Sequence, residues 1–225
     1  MTPNPAAPPF AAAVIAVLAA LVLAACGGGG GGESTSVDLP AGCQEAQVPA
    51  PKRVDLKPPG RKAGVRQSPV ATIETSCGSF EIALDSKHSP KTVSSFVYLA
   101  RRGVYDNTIF HAIDPNRIIQ GGDPLGTGKG GAGYFVDEAP PSNAEYTKGT
   151  VAMAKTATEP PGRSRSQFFV VAAADAGLPP QYAILGRVSS GQGVVDRIAT
   201  LGDPATQSGT PLATVVIRTI TMREG

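Results

Sequence analysis

Beyond Pro69 the chain is interrupted by glycine or proline every few residues, and this punctuation excludes most folds before any motif is read. With 27 glycines and 21 prolines in 225 residues, only two stretches carry a helix pattern. The first is SPKTVSSFVYLARRG. Ser89 is a capping residue type, Pro90 suits the first turn and Gly103 stops the helix. Val93, Phe96, Val97 and Ala100 fall on one face. The second, residues 194–201, aligns Val194, Val195, Ile198 and Leu201. The remainder reads as strands. Residues 70–75 and 80–84 form a hairpin through Ser76-Cys77-Gly78, and short strands surround Ile109, Ile118, Val151, Phe169 and Ile184. An alternating strand over 212–222 closes the pattern. Many short strands and two helices predict a mainly β fold, a mostly antiparallel barrel capped by helices.

Ahead of Pro69 the texture differs. Residues 10–25 are an uncharged Ala/Val/Leu/Ile run, the length of a signal-peptide core and short for a membrane span. The run ends in Leu23-Ala24-Ala25-Cys26 and is followed by six glycines. Small residues before a cysteine resemble a bacterial lipobox, in which the cysteine is lipidated and becomes the mature N-terminus. A secretory signal that happens to contain cysteine, or a short membrane anchor, are the other readings. Residues 1–9 lack the Lys or Arg usual in such a leader. The expected division is a signal peptide over 1–25, a flexible tether and linker over 26–68, and a folded domain over 69–225. The domain is then extracytoplasmic and held to the bacterial membrane through Cys26, by more than one acyl chain, because one chain alone binds weakly.

Outside the cytoplasm the remaining cysteines, Cys43 and Cys77, read as a disulfide, with two free thiols as the alternative. Neither has His or Cys neighbours at metal-ligand spacing. The Pro-, Lys- and Arg-rich residues 48–68 read as a solvated extended linker, or as a segment drawn to anionic lipid or wall polymer. A net charge of +2 argues against a nucleic-acid binder.

The chemistry-bearing blocks are FHAIDPNRIIQGGDPLGTGKGGAGY, GTVAMAK, SQFFV and LPPQYAILGRV, in that order. Their sequence and spacing resemble the cyclophilins over roughly residues 70–222. The resemblance implies a closed eight-stranded antiparallel β-barrel capped by two α-helices. It also implies peptidyl-prolyl cis-trans isomerase activity without cofactor or metal, on proline-containing polypeptides, in a chain expected to be monomeric. By the same resemblance Phe169 is the aromatic floor of the proline pocket, Ile118 stands where Met is usual, and Leu178 is in the wall. Gln120 matches the glutamine that hydrogen-bonds the substrate backbone. Ala154 is the small residue beside the pocket, Lys155 stands where Asn is common, and Gln167 and Phe168 complete the block, with Phe168 in the core. For the apolar members, ordinary core packing is the competing account.

Three departures matter. Ala112 occupies the position that is Arg in active members, Arg117 occupies an aromatic pocket position, and Gly177 and Tyr182 stand where many eukaryotic members have Trp and His. Loss of such an electrostatic donor typically costs roughly a hundredfold or more in rate. Arg117, five residues on, is a candidate to replace it; otherwise it is a solvated arginine at the Asp114-Pro115-Asn116 turn.

Other chemistries find no support. His88 and His111 are the only histidines, and His111 belongs to the structural FH pair. Residues 126–131 match G-x-G-x-x-G in form, but no helix pattern follows, and Gly130 stands where a P-loop needs Ser or Thr. That segment reads as a loop bordering the proline pocket. No G-x-S-x-G elbow is present. The expected function is therefore prolyl isomerisation assisting the folding of exported proteins, reduced by Ala112. The rivals are a non-catalytic binding module or holdase for proline segments, and a structural envelope lipoprotein with a decayed pocket.

Overall fold

A computed structural model describes residues 37–60, 69–206 and 209–223; the signal-like run and Cys26 lie outside the described residues. The strands β1 (Val70–Thr75) and β2 (Gly78–Leu84) pair antiparallel around the Ser76-Cys77 turn. Their alternation sends Ala71, Ile73, Phe80 and Ile82 inward, each no more than 1 % exposed. The helix α1 (Pro90–Arg101) follows. It buries Val93, Phe96, Val97, Leu99 and Ala100, as the one-face pattern predicts. Its cap differs from the sequence expectation. Ser89 holds the N-cap position but its hydroxyl makes no capping bond. The Glu138 carboxylate instead accepts from the Lys91 and Thr92 amides at 3.2 and 2.7 Å, supplying the charged acceptor from a distant loop.

Six short strands come next: β3 (Thr108–Ile109), β4 (Ala112–Ile113), β5 (Ile118–Gly121), β6 (Val136–Asp137), β7 (Thr150–Met153) and β8 (Arg163–Ser164). They are followed by β9 (Phe168–Val171), β10 (Ile184–Ser190), the helix α2 (Gln192–Ala199) and β11 (Val216–Arg223). The helix α2 begins and ends two residues earlier than expected, and Leu201 is buried beyond its end. The last strand starts at Val216; Leu212, expected within it, is 44 % exposed.

Nine strands form one curled antiparallel sheet in the order β3-β11-β1-β2-β10-β7-β9-β5-β4, and β6 pairs with β8 apart from it. Its two end strands, β3 and β4, are consecutive pieces of a single run over residues 108–113. Between them Phe110 donates its amide to Val215, and Ala112 then turns to pair with Gln120. One strand thus changes partner at Phe110-His111, and this reconciles nine paired segments with the expected eight-strand closure.

The segment over 37–60 departs from the solvated linker expected there. The structure joins Cys43 to Cys77, and Gln44 donates its amide to the Ser76 carbonyl at 2.8 Å. Leu39, Val54 and Leu56 pack against the barrel core. Apolar burial and backbone hydrogen bonds hold a stretch whose composition alone reads as loose.

Candidate active site

Alternation along the strands separates core from site. Ile113, Ile119, Val170 and Val151 stand opposite one another across β4, β5, β9 and β7, all 0 % exposed within the main core. One residue over, the pairing runs Ala112–Gln120–Phe169–Ala152–Ile184 on the other face. Phe168 points inward, meeting Phe96, Tyr105 and Phe110 edge-on with centroids 5.7, 5.8 and 6.3 Å away. Phe169 therefore points outward, into a second and smaller apolar cluster. That cluster contains Tyr146, Ala152, Val171 and Ala176, with Ile118, Ala154, Leu178, Tyr182 and Ile184 packed around it. The sequence-derived residues Ile118, Ala154, Phe169, Leu178 and Tyr182 are thus gathered in one place.

Tyr182 stands edge-on to Phe169, centroids 5.4 Å apart at 87°. Tyr146 fixes it there. Its hydroxyl donates to the Tyr182 carbonyl at 2.7 Å and accepts the Tyr182 amide at 2.9 Å. The same ring lies 6.2 Å from Phe169. Sequence reasoning missed Tyr146, which sits in a polar, proline-rich stretch 36 residues before its partner with no periodic signal to mark it.

The polar half of the site is a relay of amides. Gln120 donates through Nε2 to Gln167 Oε1 at 3.0 Å, and Gln167 donates to the carbonyls of Gly128 and Gly130 at 3.0 and 2.9 Å. Asp123, fully buried, shapes that loop by accepting the amides of Leu125, Thr127 and Gly130. Burial alone would raise its carboxyl, but the amides of Leu125, Gly130, Thr127 and Gly128 outweigh it and hold Asp123 below its ordinary 3.8. His111 Nε2 lies 3.4 Å from Gln120 Nε2. Desolvation lowers the imidazole from its ordinary 6.5, although Asp123 and the hydrogen bond to Gln167 pull the other way. The ring nitrogen and the Gln120 amide are neighbours, an arrangement that positions the glutamine.

Beside the two glutamines opens a cavity of about 270 Å³, bounded by Gly128, Lys129 and Gly130 on one side and by Ala154, Lys155, Thr156 and Glu159 on the other. Ala154 and Gln120 adjoin both this cavity and the apolar cluster. Three cations, Lys129, Lys155 and Arg165, line it against one carboxylate, Glu159. Arg165 reaches Glu159 at 3.8 Å, and Lys155 Nζ lies 5.8 Å from the Tyr182 ring centroid. The loop that matched G-x-G-x-x-G only in form borders this groove.

Ala112 presents a methyl group beside Gln120. Arg117 is exposed yet tethered: its Nε donates to the Ala176 carbonyl at 2.8 Å, two residues from Leu178. Gly177 adopts φ +59 with no atom within 4 Å of where a Cβ would stand, so the wall beside Leu178 is open. Among the described residues no group of three or more His, Cys, Asp or Glu is placed to hold a metal ion.

A family model described as "Cyclophilin type peptidyl-prolyl cis-trans isomerase/CLD" matches residues 70–222. The chain is 44 % identical over 130 residues to a "Peptidyl-prolyl cis-trans isomerase-like 1" of Gibberella zeae, covering 56 % of this chain and 78 % of that one. It is 43 % identical over 136 residues to the Bos taurus protein of the same name, covering 59 % of this chain and 80 % of the relative. A crystal structure of a Cryptosporidium parvum cyclophilin-type peptidyl-prolyl cis-trans isomerase, in the presence of the dipeptide Ala-Pro, superimposes with a TM-score of 0.62 at 31 % identity. That match covers 69 % of this chain and 99 % of the other.

Proposed function

The chain belongs to the cyclophilin-type peptidyl-prolyl cis-trans isomerase family, and we propose that it acts as a slow prolyl isomerase on exported polypeptides, anchored outside the cytoplasm. Rotation about a peptide bond faces a barrier of about 18–20 kcal/mol that comes from amide resonance. Uncatalysed X-Pro exchange therefore takes tens to hundreds of seconds. No covalent bond breaks. Catalysis needs an apolar slot for the proline ring, polar groups to hold the flanking backbone, and a donor favouring the pyramidal nitrogen of the twisted state.

The observation that carries the reading is the cross-strand row in which Phe169 and Gln120 are direct neighbours. Phe169, Ile118, Leu178 and Tyr182 suit a pyrrolidine ring, and Gln120, braced by Gln167, suits the adjoining peptide group. The missing element is the donor, because Ala112 offers only a methyl group. Its absence supports reduced turnover with retained binding. Arg117 supplies the residual donor in this reading. Its Nε is committed to the Ala176 carbonyl beside the apolar cluster, so the donor in this reading is one of the two terminal guanidinium nitrogens.

The extracytoplasmic location rests on the apolar run ending in Leu23-Ala24-Ala25-Cys26, with Cys26 as lipid-bearing residue, and on the Cys43–Cys77 disulfide, which suits an oxidising compartment. A second reading, a holdase that grips proline segments without turnover, is favoured by the same Ala112 methyl. Exchange spectroscopy on an Ala-Pro peptide separates the two. Acceleration supports the isomerase, binding without acceleration supports the holdase, and neither effect removes both.

A further inference from the structure

Residues 52–56 alternate inward and outward: Lys52, Val54 and Leu56 are half-buried and Arg53 and Asp55 exposed, although no strand partner is assigned to them. The backbone partners of this segment are the two ends of the loop that carries Gly128 and Gly130. Lys52 donates its amide to the Pro124 carbonyl at 2.8 Å, and Leu56 donates to Ala132 at 2.9 Å. The Lys52 ammonium also donates to the carbonyls of Gly103 at 3.0 Å and of Asp106. The approach is close enough to dictate a residue in the loop. Gly133 has φ +93, and a Cβ there would lie 2.5 Å from Asp55 Oδ1 and 2.9 Å from the Leu56 nitrogen. At the other end of the segment the Cys43–Cys77 bridge and the Gln44–Ser76 hydrogen bond clamp it to the β1–β2 turn.

We propose that residues 43–56 are a strap that positions the substrate-facing loop, and through it Gln167 and Gln120, for peptide binding. The contacts form one continuous path. The strap grips the loop at Pro124 and Ala132, the loop offers Gly128 and Gly130 carbonyls to Gln167, and Gln167 orients Gln120. Asp123 shapes the interior of the loop, whereas the strap sets where its base sits. Lys52, Leu56 and Gly133 are accordingly positioning residues, acting through Gln167 and not on substrate. The inference rests on the prolyl-peptide reading of the groove.

The test uses the full chain as wild type, Leu56→Pro (no amide for Ala132), Leu56→Ile (amide and apolar bulk kept) and Gly133→Ala (strap displaced from the loop side). Amide hydrogen exchange of residues 125–130 is read together with KM and kcat for an Ala-Pro peptide. The strap role predicts faster exchange of these amides in Leu56→Pro and Gly133→Ala, with KM raised about fivefold, the scale of one lost hydrogen bond. The kcat should stay within about twofold, β9 amides should keep their protection, and Leu56→Ile should restore wild-type values. Strap amides that exchange freely while residues 125–130 and KM remain at wild-type values overturn the proposal. A wild type that neither binds nor isomerises the peptide defeats the functional reading instead, and loop exchange in the two variants still decides whether the strap positions the loop.

Discussion

Ala112 stands directly opposite Gln120 in the β4–β5 ladder, so a methyl group borders the Gln120 side chain. Ala112, Gln120 and Phe169 are therefore neighbours on one face of the barrel. Under the proposed function this sets the peptide-holding glutamine beside a position that offers no donor.

The Tyr146 hydroxyl closes two hydrogen bonds to the Tyr182 backbone and is itself in a residue 1 % exposed. Tyr146→Phe leaves that amide and carbonyl without their partner, at a cost of about 1–3 kcal/mol. A lower thermal midpoint and weaker binding of an Ala-Pro peptide are expected together. An unchanged midpoint would mean that the hydroxyl bridges nothing of consequence.

Protonation of His111 should be visible in solution. Its folded value is depressed below 6.5 by burial, so the folded state favours the neutral ring. Its contribution to stability is fully present above 6.5 and is lost as pH falls through the folded value, since the unfolded chain takes up the proton first. Chemical denaturation between roughly pH 8 and 5 should show a loss beginning near 6.5, and His111→Asn should flatten it. Peptide affinity should fall over the same window, because an imidazolium sets a second N–H donor against the Gln120 amide.

Much of this was legible in the chain. Gly/Pro punctuation and the two apolar faces predicted a helix-capped barrel, and the QGGD and SQFF blocks, by their resemblance, singled out Gln120 and Phe169, which the structure makes cross-strand neighbours. The resemblance puts Phe168 in the core and Phe169 outside it, and strand alternation supplies the reason, sending the two rings into separate apolar clusters. What the chain concealed depends on long-range contacts between irregular segments. Glu138 caps α1 from 46 residues away, and nothing local marks it as a cap in place of Ser89. The Pro-rich stretch around Lys52 has the composition of a linker, and only its contacts at Pro124 and Ala132 make it a strap. Its inward residues, Val54 and Leu56, are too few for a periodicity to stand out.

The cavity beside Gln120 carries Lys129, Lys155 and Arg165 against Glu159 alone. Proline peptides with Glu within three residues before proline should bind more tightly than the Lys versions by about fivefold, the scale of one exposed charge pair. Added salt should narrow the gap, and so should Lys155→Glu. Equal affinities at low salt would show that these cations do not face the peptide.

The most direct test of the account is the rate of proline-isomer exchange in an Ala-Pro peptide with wild type, Ala112→Arg and Arg117→Ala. Measurable acceleration by wild type, a gain on the order of a hundredfold in Ala112→Arg and a clear loss in Arg117→Ala are expected. An Arg117→Ala rate equal to wild type would end the substitute-donor role. No acceleration by wild type or by Ala112→Arg, at protein concentrations that saturate the peptide, would contradict the isomerase itself.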